Sequence, residues 1–81
     1  MKLPRDLSGN GLAKKLSIFG YRITRQTGGH LRLTTTERGE HHITIPNHPS
    51  LRIGTVAAIL SDVARHLEIP KEELNSSLFE K

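Results

Sequence analysis

The chain has no cysteine and no tryptophan, and only one methionine, one tyrosine and two phenylalanines among 81 residues. Without cysteine there is no disulfide, no thiolate ligand for zinc and no cysteine nucleophile, so the fold must hold by ordinary packing or with a partner's help. With Phe19, Tyr21 and Phe79 as the only aromatic residues of the Phe, Tyr and Trp set, the core is expected to be Leu, Ile, Val and Ala. No apolar run approaches the roughly 18 residues of a membrane helix. Met1-Lys2-Leu3-Pro4-Arg5-Asp6 leads into no apolar stretch of the secretory kind, which predicts a soluble, cytoplasmic protein with no membrane partner. A chain of this size buries only about 60% of the surface it exposes when unfolded, enough for one domain over 1–81 and too little for a large enzyme scaffold.

What is present is basic, and unevenly so. The formal charge is +4; residues 1–38 hold eight basic side chains against two acidic, and residues 39–81 hold four against six. The first half is therefore a candidate surface for a polyanion such as RNA, bound through counterion release, or simply a solvated face.

Hydrophobic periodicity divides the chain into elements. Leu12, Ala13, Leu16 and Phe19 recur at helical spacing behind Ser8, with Gly20 after the last of them, predicting a capped helix over about 8–19. From Tyr21 the period changes to two. Tyr21 and Ile23 alternate with Arg22, Thr24 and Gln26 up to Gly28-Gly29, a hairpin signal, and Leu31 and Leu33 alternate beyond it. A third strand carries Ile43 and Ile45. Gly54-Thr55 is read as the cap of a second helix through Val56, Ile59, Leu60, Val63 and Leu67, and Pro70 as the start of a short terminal helix that frays over 76–81. The predicted class is α+β, α-β-β-β-α, with both helices on one face of a three-stranded antiparallel sheet.

Three strands cannot bury an apolar face alone, so the helices are expected on the side of Tyr21, Ile23, Leu31, Leu33, Ile43 and Ile45. By alternation the other side presents Arg22, Thr24, Gln26, His30, Arg32, Thr34, His42 and Thr44, basic and without a carboxylate. Arg25 has the opposite parity unless a bulge intervenes.

The run Tyr21-Arg22-Ile23-Thr24-Arg25-Gln26-Thr27-Gly28-Gly29-His30 resembles the G-Y-x-x-x-R-Q-x-G-[SG]-H signature of HicA-like toxins, the YcfA family. Pro46-Asn47-His48 with Leu51, Gly54-Thr55-Val56 and Ile59-Leu60 is similar to that family's P-x-H-x-x-L-x-x-G-T-[LV]-x-x-I-L segment. Lys2-Leu3-Pro4-Arg5-Asp6-Leu7-Ser8-Gly9 fits its usual start, so the likeness covers about residues 2–74. It implies a double-stranded-RNA-binding-like fold used as a small endoribonuclease, an mRNA interferase of a type II toxin-antitoxin system, restrained by a HicB-like antitoxin. The family's catalytic histidine maps onto His30. Gly29 stands where many relatives carry serine.

The chemistry fits those residue types. RNA brings its own nucleophile, the 2′-OH, so a nuclease needs a base for that proton, an acid for the leaving 5′-oxygen and cations for the phosphorane, without a metal or other cofactor. Histidine titrates in the useful range. Gly28 and Gly29 let a phosphodiester come close, Arg22, Arg25 and Arg32 are the nearby cations, and Lys14 and Lys15 on the first helix are candidates for extending the RNA footprint. His41, His42 and His48 raise a metal site, but His41 and His42, adjacent in a strand, point to opposite faces. His66 is expected to serve its own helix end. A non-catalytic RNA-binding module of the same fold is the competing class.

Overall fold

The computed structural model describes residues 6–79; the motif positions 2–5 and the chain's last two residues lie outside them. The element order is α1 (Gly9–Leu16), a 3-10 turn (Ser17–Phe19), β1 (Arg22–Thr27), β2 (His30–Thr35), β3 (His41–Pro46), α2 (Ile53–Leu67) and α3 (Lys71–Phe79). The strands form one antiparallel sheet in the order β1-β2-β3, giving the predicted α+β, double-stranded-RNA-binding-like arrangement, with the terminal helix expected after Pro70 present as α3.

Ser8 caps α1 as expected, its Oγ accepting from the Gly11 N–H at 2.9 Å. The helix stops at Leu16, earlier than the predicted 8–19, because the Ser17 hydroxyl donates to the Lys14 carbonyl at 2.6 Å and the chain tightens into the 3-10 turn. Leu12, Ala13 and Leu16 face the core. Gly9 is fixed by contact rather than by conformation: its N–H donates to the His48 carbonyl at 3.0 Å, and a Cβ there would collide with the Pro46 carbonyl oxygen. The opening of α1 thus sits directly on the connection between β3 and α2.

α2 begins at Ile53 with Arg52 as its N-cap and no side-chain capping bond, so Gly54-Thr55 lies inside the first turn and is not the cap. Its apolar stripe of Val56, Ile59, Leu60, Val63 and Leu67 is buried as predicted. α3 continues to Phe79 instead of fraying from 76, because Leu78 is 6% exposed and joins the same cluster as Leu74. That cluster is one continuous core containing Leu12, Leu16, Tyr21, Leu31, Leu33, Ile43 and Ile45 with the helical residues. Each such fully buried aliphatic side chain contributes about 1.5–3 kcal/mol relative to exposure.

The strands correct two assignments. Ile23, expected in the core, is 44% exposed, because β1 is an edge strand whose inner side borders an open recess beside α1. The β1–β2 register also slips between Ile23 and Arg25: Ile23 pairs with Leu33, but Arg25 pairs with Arg32 and Gln26 with Leu31. Thr24 is the extra residue. This bulge turns Arg25 to the outer face and moves Gln26 off it, the reverse of strict alternation.

Candidate functional site

The outer face is built mainly on β2, whose exposure alternates: His30, Arg32 and Thr34 face outward, while Leu31, Leu33 and Thr35 are buried. At about 3.3 Å per residue, the three outward side chains stand some 6.6 Å apart in a row. His30 is the first residue of the strand and pairs with Thr27 on β1 and Pro46 on β3. Its ring is exposed and has no hydrogen-bond partner among the described residues.

The two-residue turn in front of His30 has a positive φ of 52° at Gly28, the position at which a type II′ hairpin wants glycine. Gly29 has no such φ, and open space surrounds the place its Cβ would occupy, so nothing in the backbone demands glycine there. The turn is held from the far side. The Gly29 carbonyl accepts from the Asn47 N–H at 2.7 Å, and the Asn47 side chain accepts from Asn10 Nδ2 at 3.2 Å, tying the glycine turn to the start of α1.

Arg25 and Arg32 face each other directly across β1 and β2, and among the described residues neither forms an ion pair. Like charges directly opposite destabilise a sheet, by the few tenths to 1 kcal/mol that such pairs are worth. Beside them Thr24, Thr34, His42 and Glu40 complete a shallow cup. Arg22 pairs with Thr34 on β2, the outward register predicted for it, and also lines the recess between α1 and β1 with Lys14 and Ile23. Lys15 is occupied elsewhere: its Nζ donates to the Leu78 carbonyl at 3.2 Å and lies 5.5 Å from the centre of the Phe79 ring. Of the candidate residues, the fold therefore gathers Gly28, Gly29, His30, Arg32 and Arg25 on one surface, sets Arg22 and Lys14 at its edge, and turns Lys15 away.

The remaining histidines divide as strand geometry requires. His42 is outward; His41 is inward, where the Tyr21 hydroxyl lies 2.7 Å from its Nδ1 and Asp62 lies 3.4 Å from its Nε2. Burial, and then the carboxylates of Asp62 and Glu37, push the pKa of the Tyr21 phenol up to about 12, so the hydroxyl that shares a hydrogen bond with His41 stays protonated. His66 stacks on His41 with ring centroids 4.3 Å apart. It stands in the last turn of α2, where the sequence places it, and its Nε2–H is shared between the Glu37 and Gly39 carbonyls at 2.9 and 3.1 Å, so that it also pins the turn between β2 and β3. Among the described residues no group of three or more His, Asp or Glu side chains is placed to hold a metal ion, and no helix is long and apolar enough to cross a membrane.

Sequence reasoning missed the line of contacts through Thr24, Thr34, His42 and Glu40. Its one signal was Arg25 itself, a charged residue at a position that strict alternation buries.

No curated protein and no solved structure matches the chain. The family profile described as HicA toxin of bacterial toxin-antitoxin systems matches residues 9–69, a span that runs from the first residue of α1 through the whole outer face to the end of α2. The chain belongs to the HicA toxin family.

Proposed function

We propose that the chain is an endoribonuclease toxin that cuts mRNA through the RNA's own 2′-OH, with His30 as its proton-transfer group. The observation that carries this reading is the unpaired Arg25–Arg32 couple one step along the strands from His30. Among the described residues the two facing cations have no carboxylate paired to either, Glu40 being held by His42; their repulsion is offset when an anion docks, and a phosphodiester chain supplies that anion. In the reaction the 2′-oxygen bonds to phosphorus as the bond to the 5′-oxygen breaks. His30 either takes the 2′-OH proton while water protonates the leaving 5′-oxygen, or protonates that oxygen while water takes the first proton, and Arg32, the next outward residue on β2, bears the charge of the phosphorane. The products are a 2′,3′-cyclic phosphate and a 5′-OH. Incubating the purified chain with a defined RNA in excess chelator and mapping the new ends tests this; hydrolytic ends with a 3′-OH would sink it.

One observation favours the competing reading, a non-catalytic RNA-binding module. His30 has no neighbouring group to orient its ring among the described residues, and Gly29 supplies no hydroxyl. RNA bound but left intact in the same incubation selects that reading.

The partner proposed is a HicB-like antitoxin whose acidic surface covers the outer face and excludes RNA from His30. The chain expressed alone is expected to arrest growth, and co-expression with the neighbouring gene's product to relieve the arrest and co-purify. Harmless expression with no acidic companion recovered speaks against it.

A further inference from the structure

The cup formed by Thr24, Arg25, Arg32, Thr34, Glu40 and His42 lies along β2 from His30 and is wired by a single line of contacts. Thr24, the bulged residue, points its Oγ1 at the Arg32 carbonyl oxygen at 3.4 Å. The Thr24 and Thr34 hydroxyl oxygens are 3.0 Å apart, and Thr34 Oγ1 is 2.7 Å from His42 Nδ1. His42 Nε2 is 3.1 Å from Glu40 Oε2.

Both ends of that line, a carbonyl and a carboxylate, only accept. Each hydroxyl owns one proton, so Thr24 donates to the carbonyl and Thr34 donates to Thr24. Thr34 Oγ1 is then left to accept from His42 Nδ1–H, while His42 Nε2–H serves Glu40. All four contacts are satisfied together when His42 holds both ring protons; a neutral His42 with its proton on Nε2 satisfies the three shorter ones and gives up the 3.4 Å contact to the Arg32 carbonyl. With His42 doubly protonated the cup holds three cations, Arg25, Arg32 and the imidazolium, against the one carboxylate of Glu40. These are the charged groups that face His42; its neighbour His41 points inward to Tyr21 and Asp62.

We infer that this cup is a second phosphate-binding subsite, which holds a phosphodiester of the RNA away from the one cut at His30. The inference rests on the ribonuclease reading for the identity of its ligand. Thr34 lies four residues from His30, about 13 Å along the strand, so one phosphate cannot occupy both places. Arg32 stands between them as the bridging cation. His42 is in this account a positioning residue, charged and aimed by Thr34, that sets where the RNA chain lies without touching the reacting atoms.

The test uses the full chain and a fluorescently labelled 2′-O-methyl RNA, which binds but offers no free 2′-OH. Anisotropy titrations across salt at one fixed pH compare wild type with His42→Gln and Thr34→Val. His42→Gln is expected to flatten the log–log salt dependence by about 0.7 and to weaken binding about fourfold near 0.15 M salt. Thr34→Val, which keeps the charge but removes its anchor, should weaken binding less than His42→Gln. Equal slopes for wild type and His42→Gln overturn the subsite. Cleavage of unmodified RNA, run alongside, separates the two ideas: cutting with unchanged slopes removes the subsite and leaves the ribonuclease reading. A His42-dependent slope without cutting does the opposite, and no binding by wild type removes both.

Discussion

His30→Ala is expected to lower RNA cleavage by at least about 10²-fold, the lower end for removal of a positioned proton-transfer group, and to abolish growth arrest. The side chain is exposed at the head of β2, on the side of the sheet away from the core, so its truncation leaves no cavity. Substitutions at such positions change stability by no more than about 0.5 kcal/mol. Loss of activity with an unchanged melting temperature and undiminished antitoxin binding is therefore the predicted pattern. His42→Ala is the informative comparison, because about 13 Å of strand separates it from His30; its effect should be smaller and fall on KM rather than kcat. Wild-type cleavage by His30→Ala, measured as initial rate on one defined RNA, contradicts the assignment.

Removing both Arg25 and Arg32 should separate binding from stability in opposite directions. Two lost phosphate contacts flatten the single-strand salt dependence by about 1.4 and weaken binding by about 15-fold near 0.15 M salt. The same double substitution to alanine relieves a cross-strand repulsion, so the domain should be as stable as wild type or more stable, by up to about 1 kcal/mol. Affinity from anisotropy and stability from urea unfolding give the two readings. A double variant that binds RNA with the wild-type salt slope rules out this face as the RNA platform, and one that unfolds more readily shows the pair to be structural.

The opposed behaviour of Arg25 and Ile23 marks where the sequence was legible and where it was not. On β2 and β3, Leu31, Leu33, Ile43 and Ile45 alternate strictly and are covered by helices, so parity alone assigns both faces correctly. β1 departs for two physical reasons. Its inner side borders an open recess beside α1, so Ile23 keeps its inward register and still meets solvent. It also bulges at Thr24, and a bulge inverts every later position, which is why Arg25 rather than Gln26 joins the outer face. Helix ends were less legible because local side-chain bonds decided them. Ser17 shortens α1 through the Lys14 carbonyl, and Leu78 holds α3 beyond the point where polar Ser76 and Ser77 suggest fraying. The glycine-histidine motif and its place at a hairpin were readable at once. The hydrogen-bonded line to His42 was not, since it needs the register of three strands together.

The central claim is that the 2′-OH of the RNA is the nucleophile and His30 moves its proton, and one substrate tests it most directly. An RNA with a single 2′-deoxy residue at the mapped scissile position differs from the natural strand by one oxygen and retains every phosphate for binding. The account predicts that it binds wild-type protein with unaltered affinity and is not cut at that position. Cleavage there at the all-ribose rate would contradict it.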